Sequence, residues 1–451
     1  MFVSFTQTEL LCKIHASYRQ SKIFLKKSPA CYFPSNALYI PFHSQRDPMP
    51  AQKKFLSMTL TDISSPLCRA SHIDIRGESA SATPHIQYAA REHAGAVPLD
   101  FGWLRRGAAR QVVVPVFLPF RGCPVRCVFC AQDVQTGIGD CRRPDNAAPP
   151  YADAMGGLLR TARENLRLRH ERGQPAAELA FYGGTFTALP EHDLAACLDL
   201  AREARGKGWI RSFRCSTRPD RVDASMLERL RAAGCAVVEL GVQSFADSAL
   251  AASRRGYNGH VARAACAQVR AAGLTLVVQL LPGMPGHTPQ FFMEDVPAAL
   301  AAGARMLRFY PCLVLEGTGL AAMWREGSYK PWPLETTLEA LAHGWLMAAR
   351  ADVSVIRMGL APEPGLDSAV LAGPVDRELG GRVKGRALLL AVSELLGAGV
   401  PHHPRPFDLH LPRATQGFFW GAGGELRGRW LALGLRSVIF DDGAAPQLVF
   451  M

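Results

Sequence analysis

The sequence predicts an α/β fold: a partial (β/α)6 barrel followed by a small α+β C-terminal domain. Two observations predict it. From Gln111 onward, short apolar strand-like runs alternate with amphipathic helix-like runs, a pattern that calls for a parallel sheet with helices outside. A loop holding three cysteines follows the first of these strands directly. A doubly wound open sheet shares the alternation, but a reactive loop in that position favours a barrel, whose chemistry gathers at the C-terminal strand ends.

The strands are expected at Val112–Leu118, Glu178–Tyr182, Ser212–Thr217, Ala236–Gly241, Thr275–Leu281 and Met306–Tyr310, with a seventh at Val353–Met358. Each is a short apolar run bounded by turn residues. Amphipathic helices are expected between them, near Ala152–Arg172, Glu191–Arg205, Ala224–Ala233, His260–Ala272, Pro289–Ala302 and Leu334–Ala349. Together these place the main domain at residues 109–375. Residues 58–108 carry no sustained periodicity and read as an irregular segment.

The tail, residues 380–451, breaks the rhythm. It offers a helix at Val383–Leu396, a Pro/His linker at Val400–Pro406, then strand, helix, helix and strand. Gly421-Ala-Gly-Gly424 lies between helix-like segments Ala414–Trp420 and Glu425–Leu433, ahead of a strand at Ser437–Phe440. Helix, G-x-x-G, helix, strand is also the layout by which KH modules clamp a nucleic-acid backbone. A plain glycine turn is the favoured reading, since glycines mark turns everywhere.

A net charge of +12 invites a nucleic-acid partner, but half of it sits in the first 54 residues. Six of nine lysines fall there, whereas arginine dominates the rest. Such a switch suggests that residues 1–57 are a dispensable extension, with Met49 or Met58 as the working start. No run of about 18 apolar residues occurs, so no membrane partner is expected. The twelve cysteines lack secretory spacing, which points to a reducing, cytoplasmic setting.

The most informative motif is Arg121-Gly-Cys-Pro-Val-Arg-Cys-Val-Phe-Cys130. Its C-x3-C-x2-C spacing lets one loop place Cys123, Cys127 and Cys130 around three corners of an iron–sulfur cube, leaving one iron for a non-protein ligand. A structural zinc site is the competing reading, but it needs a fourth Cys or His, and Ala131 and Gln132 follow. Further motifs close successive strands. Gly183 and Gly184, in Phe181-Tyr-Gly-Gly-Thr-Phe-Thr187, allow close backbone approach to a ligand. Ser216 lies in Cys215-Ser-Thr-Arg-Pro-Asp220, Gln243 ends Glu239-Leu-Gly-Val-Gln243, and Gln279 opens Gln279-Leu-Leu-Pro-Gly283. Arg255, twelve residues past Gln243, offers a bidentate fork for a carboxylate. Cys215 and Cys312 also lie near strand ends, although small buried packing roles are the stronger expectation for them.

With Phe129 directly before the third cysteine, this ordered set resembles the radical S-adenosylmethionine (SAM) enzymes. The likeness lies within the branch of the Elongator catalytic subunit and the oxygen-independent coproporphyrinogen oxidases. It runs from about Gln111 to Pro374, including Phe309-Tyr-Pro-Cys-Leu-Val-Leu-Glu-Gly-Thr-Gly-Leu320 and Trp324-Arg-Glu-Gly-Ser-Tyr-Lys-Pro-Trp-Pro-Leu334. These segments are closer to the Elongator side, and Gln132 stands where the porphyrin enzymes typically carry another cysteine.

The resemblance implies a TIM-like radical SAM barrel in which Cys123, Cys127 and Cys130 hold a [4Fe-4S] cluster. It implies that Gly183, Gly184, Ser216, Gln243, Arg255 and Gln279 line the SAM pocket. The implied reaction is reductive cleavage of SAM to a 5′-deoxyadenosyl radical, with a flavodoxin or ferredoxin as electron donor. RNA, tRNA included, is the candidate substrate; a porphyrin or other small metabolite is an alternative. A non-catalytic iron–sulfur RNA-binding adaptor on the same scaffold is another. About 70 residues after Gly380 are too few for the acetyltransferase domain of the Elongator branch, so acetyl transfer is not expected.

Overall fold

The computed structural model describes residues 96–99, 112–119, 122–131, 151–360, 366–397, 406–443 and 445–450. The proposed extension at 1–57, most of the irregular 58–108 segment, Gln132 and nearly all of the Pro/His linker lie outside the described residues. A first short strand, β1 (Ala96–Pro98), leads to the barrel strand β2 (Val113–Phe117). Helix α1 (Tyr151–Glu171), β3 (Ala177–Tyr182), α2 (Glu191–Gly206) and β4 (Ile210–Thr217) follow. Next come α3 (Ala224–Ala232), β5 (Cys235–Gln243), α4 (Gly259–Ala271), β6 (Thr275–Leu280), α5 (Pro289–Ala301) and β7 (Met306–Phe309).

The helices start where the sequence supplies caps. Asp223, Asn258 and Thr288 accept hydrogen bonds from the backbone N–H groups of Met226, Val261 and Phe291, satisfying donors that have no partner within the helix. Pro289 adds a first-turn residue with preset φ.

After β7 the chain makes β8 (Val314–Leu315), α6 (Leu334–Arg350), β9 (Ser354–Met358) and β10 (Val370–Ala372). Seven strands form one parallel sheet in the order β2-β3-β4-β5-β6-β7-β9. Strand order equals chain order, the mark of a singly wound, barrel-like sheet with right-handed crossovers. The sheet agrees with the expected seven strands to within two residues at most ends. The antiparallel β8–β10 hairpin and short helices at Asp247–Ala252 and Gly319–Arg325 were not anticipated. Each is too short to carry a visible period.

The core lies between the sheet and its outer helices. Phe181, Phe186, Phe213, Phe292 and Phe309 are fully buried; Phe181 and Phe186 stack at 5.1 Å between ring centroids. Helix α7 (Leu379–Gly397) joins the barrel to the C-terminal module. Its Val383, Ala387 and Ala391 pack into the barrel core, while Leu388, Leu389 and Val392 pack into the second.

That second core serves a four-stranded sheet of β1, β13 (Gln447–Phe450), β11 (Phe407–Leu411) and β12 (Leu435–Phe440). Here the structure differs from expectation. The tail sheet takes β1 from residues ahead of the barrel, paired antiparallel with β13, and the 58–108 segment therefore contains a strand. A three-residue strand has no alternation to read, and its partner lies some 350 residues away, a distance no local pattern reports.

The glycine run in the tail forms a turn between a four-residue helix, Gln416–Phe419, and a six-residue helix, Arg427–Ala432. Gly421 takes φ +70°, and a Cβ there would lie 2.6 Å from the Glu425 side chain. Only glycine fits that corner.

Candidate functional site

A cavity of about 500 Å³ opens at the C-terminal ends of the barrel strands. All nine residues singled out in the sequence line it: Cys123, Cys127, Cys130, Gly183, Gly184, Ser216, Gln243, Arg255 and Gln279. They come from the loop after β2 and from the ends of β3, β4, β5 and β6, together with the Ser253–Tyr257 loop.

The cysteine loop is fastened at several points. Val128 N–H donates to Ser253 O at 3.3 Å, and Leu320 N–H donates to Val128 O at 2.7 Å. Gly122, at φ +82°, lies so near Ala188 that an added Cβ would come within 2.5 Å of its carbonyl oxygen. Cys123 Sγ meets Thr185 Oγ1 at 3.0 Å. Cys127 Sγ accepts from Arg255 Nη1 at 3.1 Å and from Arg218 Nη1 at 3.7 Å. Burial pushes the Cys123 thiol up, opposed by its bond to Thr185 and by the charges of Arg218 and Arg255. The two guanidiniums thus offset part of the effect of burial on Cys123.

Among the described residues, no three His, Cys, Asp or Glu side chains gather as a site for a single metal ion. Three cysteine thiols in eight residues, none in a disulfide, with two guanidiniums beside Cys127, fit a cluster that takes three thiolates and leaves one position open.

Arg255 lines the cavity but is already occupied. Besides Cys127, its guanidinium donates to Gly241 O at 2.5 Å and to Tyr257 Oη at 2.6 and 3.1 Å. In this structure these bonds clamp the cysteine loop to the end of β5. Gln243 ends β5 in the left-handed region, φ +71°, a conformation that costs a non-glycine residue of order 1 kcal/mol or more. Its amide folds back over Gly241, where a Cβ would lie 2.9 Å from Gln243 Nε2. At the end of β3, Gly183 at φ +97° presses on Leu118, leaving 2.4 Å between an added Cβ and the Leu118 carbonyl oxygen.

Below these groups the barrel interior is ionic. Glu239 on β5 accepts from Arg214 Nη1 at 3.1 Å, Arg308 Nη2 at 2.9 Å and Gln279 Nε2 at 3.0 Å. Glu178 on β3 pairs with Arg214 through Nε at 2.8 Å. Gln279 also donates to Ser216 Oγ at 3.2 Å, so two expected pocket residues hold each other in place. Arg308 donates to Tyr182 Oη at 2.8 Å and to Tyr310 Oη at 3.2 Å.

Sequence reasoning missed Tyr182, Arg308, Tyr310 and Arg357, all of which line the cavity. Each lay in or beside an expected strand, but which face it took needed the register. Arg218 was visible inside a quoted motif. Cys215 and Cys312 are buried and do not line the cavity, in line with a packing role. Burial pushes the Cys312 thiol up to about 12.

The sequence matches the Radical SAM superfamily over residues 117–296 and the Radical_SAM C-terminal domain over residues 304–386. The chain belongs to the radical SAM superfamily and is an enzyme of that class. Enzymes of the superfamily use S-adenosylmethionine with a [4Fe-4S] cluster.

Among curated proteins it is 28% identical over 273 residues to the tRNA uridine(34) acetyltransferase of Methanocaldococcus infernus, covering 53% of this chain and 51% of that one. It is 30% identical over 239 residues to the heme chaperone HemW of Mycobacterium tuberculosis, covering 51% and 57%. Among solved structures, the archaeal Elp3 of Methanocaldococcus infernus superposes with TM-score 0.47 at 21% identity, over 64% of this chain and 63% of that one. The chain spans about half the length of the curated relatives it matches. Among the described residues, no helix is long and apolar enough to cross a membrane.

Proposed function

We propose that Cys123, Cys127 and Cys130 hold the [4Fe-4S] cluster, and that Gly183, Gly184, Ser216, Gln243, Arg255 and Gln279 line the SAM pocket beside it. The observation carrying this reading is convergence. Residues chosen as an ordered set of strand-end motifs line one cavity, whose size is that of ordinary small-molecule sites. When bound, cluster and SAM supply a carbon radical able to take a hydrogen atom from a substrate.

The protein's own groups do the rest. Gly183 and Gly184 leave room for a ligand against the backbone at the end of β3. Ser216 and Gln279, joined at 3.2 Å, present a fixed polar wall, and Gln243 adds a neutral donor and acceptor. Arg255 acts as a positioning residue: it seats the cysteine loop and sets its charge beside Cys127.

Anaerobic reconstitution of the full chain is expected to load about four irons and four sulfides per molecule. Cys127→Ala is expected to lose most of both. A chain that takes up one zinc and no sulfide, or a Cys127→Ala variant that loads like the wild type, would overturn the assignment.

A further inference from the structure

The register of the last two barrel strands sets two arginines side by side. Arg308 on β7 and Arg357 on β9 are direct partners in the parallel ladder, and both line the cavity. Neighbouring strands run about 4.8 Å apart, and like charges placed directly opposite destabilise a sheet. Something must offset that cost.

Arg308 has its counterion within the fold. It shares Glu239 with Arg214, and Glu178 completes a set of two carboxylates and two guanidiniums. That set is balanced before Arg357 is counted. Arg357 donates through Nε to the backbone oxygen of Gly359 at 3.1 Å, and among the described residues it pairs with no carboxylate. Among the described residues, Arg357 thus adds to this balanced set a cation that no carboxylate neutralises. Tyr310 Oη lies beside it, held by Arg308, as a further donor.

In strand order, Arg357 is separated from the strand that seats the cysteine loop. Arg255 and the cysteine loop are tied to β5 through Gly241, whereas Arg357 belongs to β9, two strands beyond β6 in the sheet. Phe117, Leu360 and Leu366 give the same cavity apolar lining.

We propose that Arg357, flanked by Arg308 and Tyr310, binds an oxyanion, a carboxylate or phosphate, carried on the apolar body of the molecule that the radical attacks. This inference rests on the functional reading above, because it assigns the substrate end of the same site. A guanidinium is the side chain suited to such a group, since its fork matches two oxygens at once.

Benzoate and phenyl phosphate serve as probes, titrated calorimetrically into the full chain with and without SAM. The wild type is expected to bind at least one of them, more weakly as salt rises. Arg357→Gln is expected to weaken that binding at least tenfold, and Arg357→Lys to retain part of it. Preference for benzoate assigns a carboxylate, and preference for phenyl phosphate assigns a phosphate. The proposal falls if the wild type binds neither probe, or if a folded Arg357→Gln chain, checked by its melting profile, binds as well as the wild type. Should Arg357→Gln not fold, Arg357→Met, which keeps the apolar stem, carries the same comparison. SAM binding by the wild type is read separately. Its failure would count against the functional reading, while the probe titration without SAM would still decide the anion site.

Discussion

The molecule holds two arginine–carboxylate networks, and they end differently. Inside the barrel, Glu178 and Glu239 face Arg214 and Arg308, with Glu239 fully buried. Arg357, next to Arg308 on the cavity wall, adds a third cation to these two anions. At the seam between α6, α7 and the C-terminal module, Arg382 bonds Asp376 and Glu425. Arg386 bonds Glu335, Glu339 and Glu425 at 2.9, 2.7 and 3.1 Å, and Arg429 bonds Glu339 at 2.7 Å. There four carboxylates meet three guanidiniums, and none of these residues lines the cavity. A network with no surplus cation holds two parts of a chain together. A surplus cation beside a cavity is a means of recognition.

Removing one charge from each network sharpens the contrast. The largest effect is expected for Glu239→Gln. It strips the shared carboxylate from buried Arg214 and half-buried Arg308 and disturbs Gln279 as well, and breaking a buried pair in this way costs about 3–5 kcal/mol. Urea unfolding measures it. A loss below about 1 kcal/mol, the worth of an exposed pair, would put the barrel network on a level with surface charge.

The seam should respond less, and to acid. The hydrogen bonds from Arg382, with the nearby charge of Arg386, hold the Glu425 carboxyl below the usual glutamate range despite partial burial. A carboxylate depressed in the folded state adds stability above its unfolded pKa, and that stability disappears as pH falls through the folded value. The module is therefore expected to loosen as pH drops below about 4.5. Trp430, buried and stacked on Phe419 at 4.6 Å, reports this by fluorescence. Glu425→Gln should remove most of the acid-dependent change while costing about 1–2 kcal/mol at neutral pH, between the exposed and buried limits. An acid transition unaltered in Glu425→Gln would place the sensitivity elsewhere.

The two regions also differ in how far the sequence alone reaches. The barrel was legible because each strand and helix carries its own period and its own punctuation, so Thr275–Leu280 and Pro289–Ala301 could be placed one at a time. The cavity residues followed because strand ends in a barrel converge by geometry. Arg308 and Arg357 were inside expected strands, yet their juxtaposition depends on register, which no single strand encodes. For Arg255 the sequence indicated the charge and the place; only the structure reveals that its donors are committed to Cys127, Gly241 and Tyr257. In the tail, the β1–β13 pairing joins residues at opposite ends of the described chain, and nothing in Ala96–Pro98 announces it.

The central claim is that the cysteine loop and the strand-end groups form one site for SAM cleavage. Quantifying 5′-deoxyadenosine tests it most directly, using the anaerobically reconstituted full chain supplied with dithionite and SAM. The wild type is expected to form 5′-deoxyadenosine, and Cys127→Ala to lose it. Intact SAM after reduction of a fully loaded cluster, or equal product from Cys127→Ala, would contradict it.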